Sequence, residues 1–172
     1  MQKHHEGLFK RGFYPVCGRD VIEPRKMLKG IVDEVIFCDI KRYPEWNQKL
    51  RDTDLPKALF VQQDVRELIP QLPTINVLFY RGDSFEGGSR INILGQKWLD
   101  AIMSHFPDEG GLIITDGTNS WGHIYKKMLR AKGYTRNKLS FHFQLLTEQR
   151  FFDNRSKRKL NAIAVTPSKP PS

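Results

Sequence analysis

Val32-Asp33-Glu34-Val35-Ile36-Phe37-Cys38-Asp39 decides the fold, because it is a β-branched apolar run that stops at an acid. Ala58-Leu59-Phe60-Val61-Gln62-Gln63-Asp64 repeats that form. Upstream, Gly12-Phe13-Tyr14-Pro15-Val16 leads into Cys17-Gly18; downstream come Ile75-Asn76-Val77-Leu78-Phe79-Tyr80 and Gly111-Leu112-Ile113-Ile114-Thr115-Asp116. Such near-continuous apolar strands read as buried on both faces, the habit of parallel sheets. Amphipathic stretches fill the gaps at residues 24–28, 65–72, 91–106 and 122–132. In the third, Leu94, Trp98, Ala101, Ile102 and Phe106 fall on one helical face, and Pro107 ends it. Strand alternating with helix predicts a doubly wound, mostly parallel α/β sheet.

The end of the chain differs. Leu139-Ser140-Phe141-His142-Phe143-Gln144-Leu145 alternates with period two, as does Leu160-Asn161-Ala162-Ile163-Ala164-Val165, with no helical pattern in residues 147–159. A parallel crossover usually needs a helix, so these two segments read as an antiparallel C-terminal hairpin. The expected domain spans residues 1–166. Residues 167–172 form a proline-rich tail expected to be extended and poorly ordered.

Length and composition agree. The chain has 172 residues, 39% hydrophobic and 27% charged, enough for one globular domain. No apolar run approaches the roughly 20 residues of a spanning helix. Cys17 and Cys38 cannot build a disulfide scaffold or a four-thiolate zinc site, so no metal and a reduced, cytoplasmic setting are expected. Both read as small buried hydrophobes. Charge is uneven. Residues 1–86 carry 14 Lys/Arg against 13 Asp/Glu and residues 87–172 carry 14 against 6, giving +1 and +8 of the total +9. That excess suits an acidic partner such as nucleic acid, or a solvated basic face.

In an open α/β sheet the ligand lies beyond the carboxyl ends of the strands, at the switch point. The residues there are Pro15-Val16-Cys17-Gly18-Arg19-Asp20, then Asp39, Asp64 and Arg81-Gly82-Asp83-Ser84. An acid about 20 residues after the glycine turn commonly holds a ribose diol, since a carboxylate accepts from two hydroxyls at once. An Asp ending the third strand can accept from an adenine amino group. Each acid can equally cap a helix.

These segments resemble the class I S-adenosylmethionine-dependent methyltransferase family over nearly the whole chain. The likeness is carried by Tyr14 to Asp20, Asp39, Asp64-Val65 and Asp108-Glu109-Gly110-Gly111-Leu112-Ile113-Ile114, with Lys132-Gly133-Tyr134 like the turn before the sixth strand. The resemblance implies a seven-stranded sheet of order 3-2-1-4-5-7-6 and S-adenosylmethionine as cofactor. It places Tyr14, Pro15, Cys17, Gly18 and Asp20 along the first turn. Asp39 and Ile40 fall at the ribose, Asp64 and Val65 at the adenine, and Tyr80 and Arg81 after the fourth strand. Of the family's three turn glycines only Gly18 is present; Val16 and Asp20 replace the others. Asp20 then faces the cofactor's ammonium or caps the next helix. Asp39 is expected to serve the ligand with little effect on the stability of the free protein.

On the acceptor side, Asp83 is the candidate general base or amine-orienting acid and Arg81 the candidate anion clamp. The competing picture is a glycine-flexible loop with solvated charges. His123 sits at a pocket rim or is simply solvated. Arg150, Arg155, Lys157, Arg158 and Lys159 interleave with Phe151 and Phe152, a combination that tracks phosphates and stacks bases, or a solvated hairpin. Two functions follow: a methyltransferase, or a non-catalytic module of the same fold that docks nucleic acid or a protein through its basic half. A nicotinamide oxidoreductase is disfavoured, because the three-glycine dinucleotide turn is absent.

Overall fold

The computed structural model describes residues 9–44, 46, 54–82, 91–122, 124–130, 134–136, 139–146, 152–153 and 158–168. Five parallel strands form the first half of the sheet: β1 (Arg11–Pro15), β2 (Glu34–Asp39), β3 (Lys57–Gln62), β4 (Val77–Tyr80) and β5 (Gly111–Thr115). Antiparallel elements follow: β6 (Tyr134–Arg136), β7 (Leu139–Leu146) and β10 (Asn161–Ser168). The sheet order is β3-β2-β1-β4-β5-β10-β7-β6. β10 is antiparallel to both β5 and β7, so β7 runs parallel to β5. Counting β7 as the sixth strand and β10 as the seventh, the expected order 3-2-1-4-5-7-6 holds.

Three details differ from expectation. β6 adds a three-residue eighth strand at the outer edge, pairing Tyr134 with Phe141 and Arg136 with Leu139. A separate two-stranded ladder, β8 (Phe152–Asp153) with β9 (Arg158–Lys159), stands where a plain loop was expected. β10 continues through Pro167 and Ser168, whose partners are Phe141 and Ser140. The β7 edge takes up those two residues, beyond the boundary that the prolines suggested.

Burial explains the strand chemistry. Every residue of β2 and β4 is buried, as their apolar runs require, whereas β3 lies at the sheet edge and alternates, leaving Leu59 exposed. Tyr14, Phe37 and Phe60 are cross-strand neighbours on β1, β2 and β3. Phe37 and Phe60 stack at 5.2 Å, and Trp46 stacks on Phe60 at 4.5 Å. A fully buried ring such as Phe37 contributes roughly 1.5–3 kcal/mol over leaving it in water, and the half-buried Phe60 less.

The helices are α1 (Ile22–Met27), which begins two residues before its expected stretch, α2 (Val65–Leu68) followed by a 3-10 turn at Ile69–Gln71, α3 (Gln96–Met103), shorter than its amphipathic pattern, and α4 (Ile124–Leu129). α3 starts five residues late because Gly95 is its extended N-cap and residues 91–94 turn back onto the loop after β5. Among the described residues no helix is long and apolar enough to cross a membrane.

Candidate cofactor site

The turn after β1 is built on two left-handed residues, Val16 at φ 53° and Gly18 at φ 55°. Glycine adopts that conformation freely, but a β-branched residue there is strained by about 1–3 kcal/mol. Val16 therefore keeps a glycine-type backbone without the glycine. The turn is held by its neighbours: Cys17 N–H donates to the Cys38 carbonyl at 3.0 Å, and Trp46 Nε1–H donates to the Gly18 carbonyl at 3.0 Å. A Cβ added to Gly18 would meet nothing within 4 Å, so the backbone here faces open space.

Asp39 closes the turn. Its Oδ2 accepts from Gly18 N–H at 2.8 Å and its Oδ1 accepts from Lys41 N–H at 3.0 Å. The carboxylate is thus pinned at the carboxyl end of β2, only 9% exposed, while the adjoining Ile40 is 65% exposed. A fixed acceptor beside an uncovered aliphatic surface suits a group with one polar and one apolar side. Asp39 also anchors the loop through these two bonds, which gives it a structural part beside the expected ligand role.

The crevice between β1 and β4 is filled. Arg81 Nε and Nη2 donate to Asp20 Oδ2 and Oδ1 at 2.6 and 2.7 Å, with the arginine 0% and the aspartate 8% exposed. The Tyr14 hydroxyl lies 2.7 Å from both Asp20 Oδ2 and the Arg81 carbonyl, two acceptors for its single proton. Burial, then the Asp20 charge, hold Tyr14 well above the usual phenol range. Asp20 does not cap α1, whose N-cap is Val21, and Arg81, the candidate anion clamp, is paired with the Asp20 carboxylate.

Asp64 takes the helix-cap alternative. Its Oδ1 accepts from Arg66 N–H at 2.9 Å, and the Arg66 guanidinium binds both oxygens. Those hydrogen bonds lower its carboxyl to about 2. Val65 behind it is buried. Pro15 lies within β1, and Tyr80 ends β4 with its hydroxyl accepting from Asn119 Nδ2 at 2.6 Å. Burial raises that phenol to about 12. Cys17 and Cys38 are buried thiols, as expected, the latter pushed up to about 12 by burial and then by the Asp39 charge. Among the described residues no cluster of His, Cys, Asp and Glu is placed to hold a metal.

Asp83, His123, Arg150, Phe151, Arg155 and Lys157 lie outside the described residues. Arg158 and Lys159 are placed as the backbone of β9. Spacing gave no sign of the contacts that join Asp20 to Arg81, Trp46 to Gly18, or Asn119 to Tyr80. Each links segments 28 or more residues apart.

No protein-family model and no curated protein sequence matches this chain. Solved structures do. An rRNA methylase from Streptococcus thermophilus superposes at a TM-score of 0.55 with 10% identity, covering 92% of this chain and 86% of that one. A protein of Streptococcus mutans, described as a methyltransferase and held with S-adenosylhomocysteine, gives 0.56 with 9% identity, covering 92% and 89%. The chain has a methyltransferase-like Rossmann fold. A phosphoethanolamine N-methyltransferase of Haemonchus contortus shares it at 0.52 and 12% identity, over 95% of this chain and 40% of that one. In all three the likeness is one of fold.

Proposed function

We propose that this protein is an S-adenosylmethionine-dependent methyltransferase. The observation that carries the reading is the Asp39 carboxylate, held by two backbone N–H groups beside open space at Gly18 and exposed Ile40. A carboxylate has about four acceptor sites. With two taken by Gly18 and Lys41, the others are available to a ribose diol, and Ile40 offers an aliphatic face to a purine. The residues present thus fit the nucleoside half of the cofactor. When bound, that cofactor supplies an electrophilic methyl group on a sulfonium. The chain's part is to hold the donor rigidly and admit an acceptor beyond β4, where Asp83 is the candidate base; such catalysis is mainly positioning.

One observation favours the non-catalytic reading. The methionine half would lie between β1 and β4, where Asp20, Arg81 and Tyr14 already satisfy one another. Separating a buried ion pair costs about 3–5 kcal/mol when one partner is left alone.

Calorimetric titration with S-adenosylmethionine and S-adenosylhomocysteine tests the proposal. Binding of both, together with methyl transfer to some acceptor, supports the enzyme. Binding of neither at roughly millimolar ligand, an affinity of about −4 kcal/mol, leaves the non-catalytic module.

A further inference from the structure

Neither the core nor the proposed cofactor site uses Trp121, whose side chain is 70% exposed in the loop after β5. Its backbone is nonetheless clamped. Asn92 Oδ1 accepts from the Trp121 N–H at 2.9 Å, and Asn92 Nδ2 donates to the Trp121 carbonyl at 2.7 Å. Leu94 N–H donates to the Asn119 carbonyl at 3.0 Å, and Asn119 in turn reaches Tyr80 at the end of β4. Gly82 packs so closely on Thr118 that a Cβ there would overlap it. The exposed indole therefore stands on a rigid mount at the carboxyl edge of β4 and β5.

The helix that follows is basic: α4 and its last turn carry Lys126, Lys127 and Arg130 and no acid, while Asp116 at the start of the loop accepts from the Thr118 N–H at 2.9 Å. Lys126 and Arg130 are both exposed and four residues apart, hence neighbours on one side of α4 and its last turn. A flat, uncovered aromatic ring followed within nine residues by two exposed cations is a combination that can stack a base and track its phosphates. An acidic protein would satisfy the lysines and leave the indole in water.

We propose that Trp121 and the basic side of α4 and its last turn bind single-stranded nucleic acid. An unpaired base stacks on the indole, and flanking phosphates meet Lys126 and Arg130. A duplex hides the base faces that this contact needs. As the acceptor site for methyl transfer the proposal rests on the enzyme reading; as a binding site it does not.

The test is fluorescence anisotropy with a labelled single-stranded RNA of about 12 nucleotides and the matching duplex, each titrated across a salt series. Wild type is expected to prefer the single strand. Trp121→Leu is expected to weaken it by about 5- to 100-fold and Trp121→Phe to retain most of the affinity. Lys126→Ala with Arg130→Ala is expected to flatten the log–log salt slope by about 1.4, two phosphates at about 0.7 each. Trp121 is exposed, so both Trp121 variants should keep the wild-type melting temperature. Equal binding by Trp121→Leu and wild type, equal affinity for duplex, or no RNA binding at low salt overturns the proposal. S-Adenosylhomocysteine titrated in parallel separates the two claims. Its failure to bind removes the enzyme and leaves the nucleic-acid site standing.

Discussion

The guanidinium of Arg81 grips the carboxylate of Asp20 through two hydrogen bonds, at 2.6 and 2.7 Å, across 61 residues of chain. The pair ties the turn after β1 to the end of β4 and is almost completely buried. Removing one partner strands a charge in the crevice. Arg81→Met alone is expected to cost about 3–5 kcal/mol, whereas Asp20→Leu with Arg81→Met should recover most of it. Urea denaturation of these variants and of Asp20→Leu alone checks this; a double-variant loss equal to the sum of the two single losses would show that the pair is not coupled.

Asp39 has two roles that substitution can separate. Asp39→Ala leaves Gly18 and Lys41 N–H groups without their acceptor, at a cost of about 1–3 kcal/mol. Asp39→Asn keeps one acceptor oxygen and should lose less stability. Both are expected to weaken S-adenosylhomocysteine by calorimetry. Unchanged ligand affinity alongside reduced stability would make Asp39 a loop anchor only.

The sign for Asp64 follows from its lowered carboxyl. Its folded value of about 2 lies below the ordinary 3.8, so its contribution is present above that value and disappears as pH falls toward 2. The Arg66 pair is partly exposed and salt-screened, so the contribution is modest. Asp64→Ser keeps a capping oxygen and should cost under about 1 kcal/mol at neutral pH while flattening stability between pH 4 and 2. Thermal melts against pH measure it; an unaltered acid limb contradicts the pairing.

How far the sequence could be read depended on the kind of contact. The parallel core was legible because β4 and the interior of β2, Val35 to Cys38, are apolar at every position and buried on both faces. β3 carries an equally apolar run yet sits at an edge, which only its place in the sheet order decides. The acids ending the strands look alike in sequence, each being an Asp before a turn. In the structure Asp20 pairs with an arginine, Asp39 ties a loop and Asp64 caps a helix. Nothing local distinguishes them, because their partners come from elsewhere in the chain. Nothing in the sequence marks Trp121, since the clamp on its backbone comes from Asn92, 29 residues away.

Both cysteines should be inert in the folded protein. Burial keeps Cys17 protonated and pushes Cys38 to about 12, so neither offers a thiolate at pH 8. A thiol reagent is expected to count no fast-reacting group in the native protein and two in urea. One fast native thiol would contradict the burial of both cysteines.

The central claim is that Asp39, Gly18 and Ile40 form the nucleoside half of a cofactor site. Backbone amide chemical shifts recorded while S-adenosylhomocysteine is added test it most directly. The amides of Gly18 and Lys41 both donate to the Asp39 carboxylate, so they and Ile40 should move together and saturate at one ligand concentration. Shifts confined to other residues, or none at roughly millimolar ligand, would contradict the account.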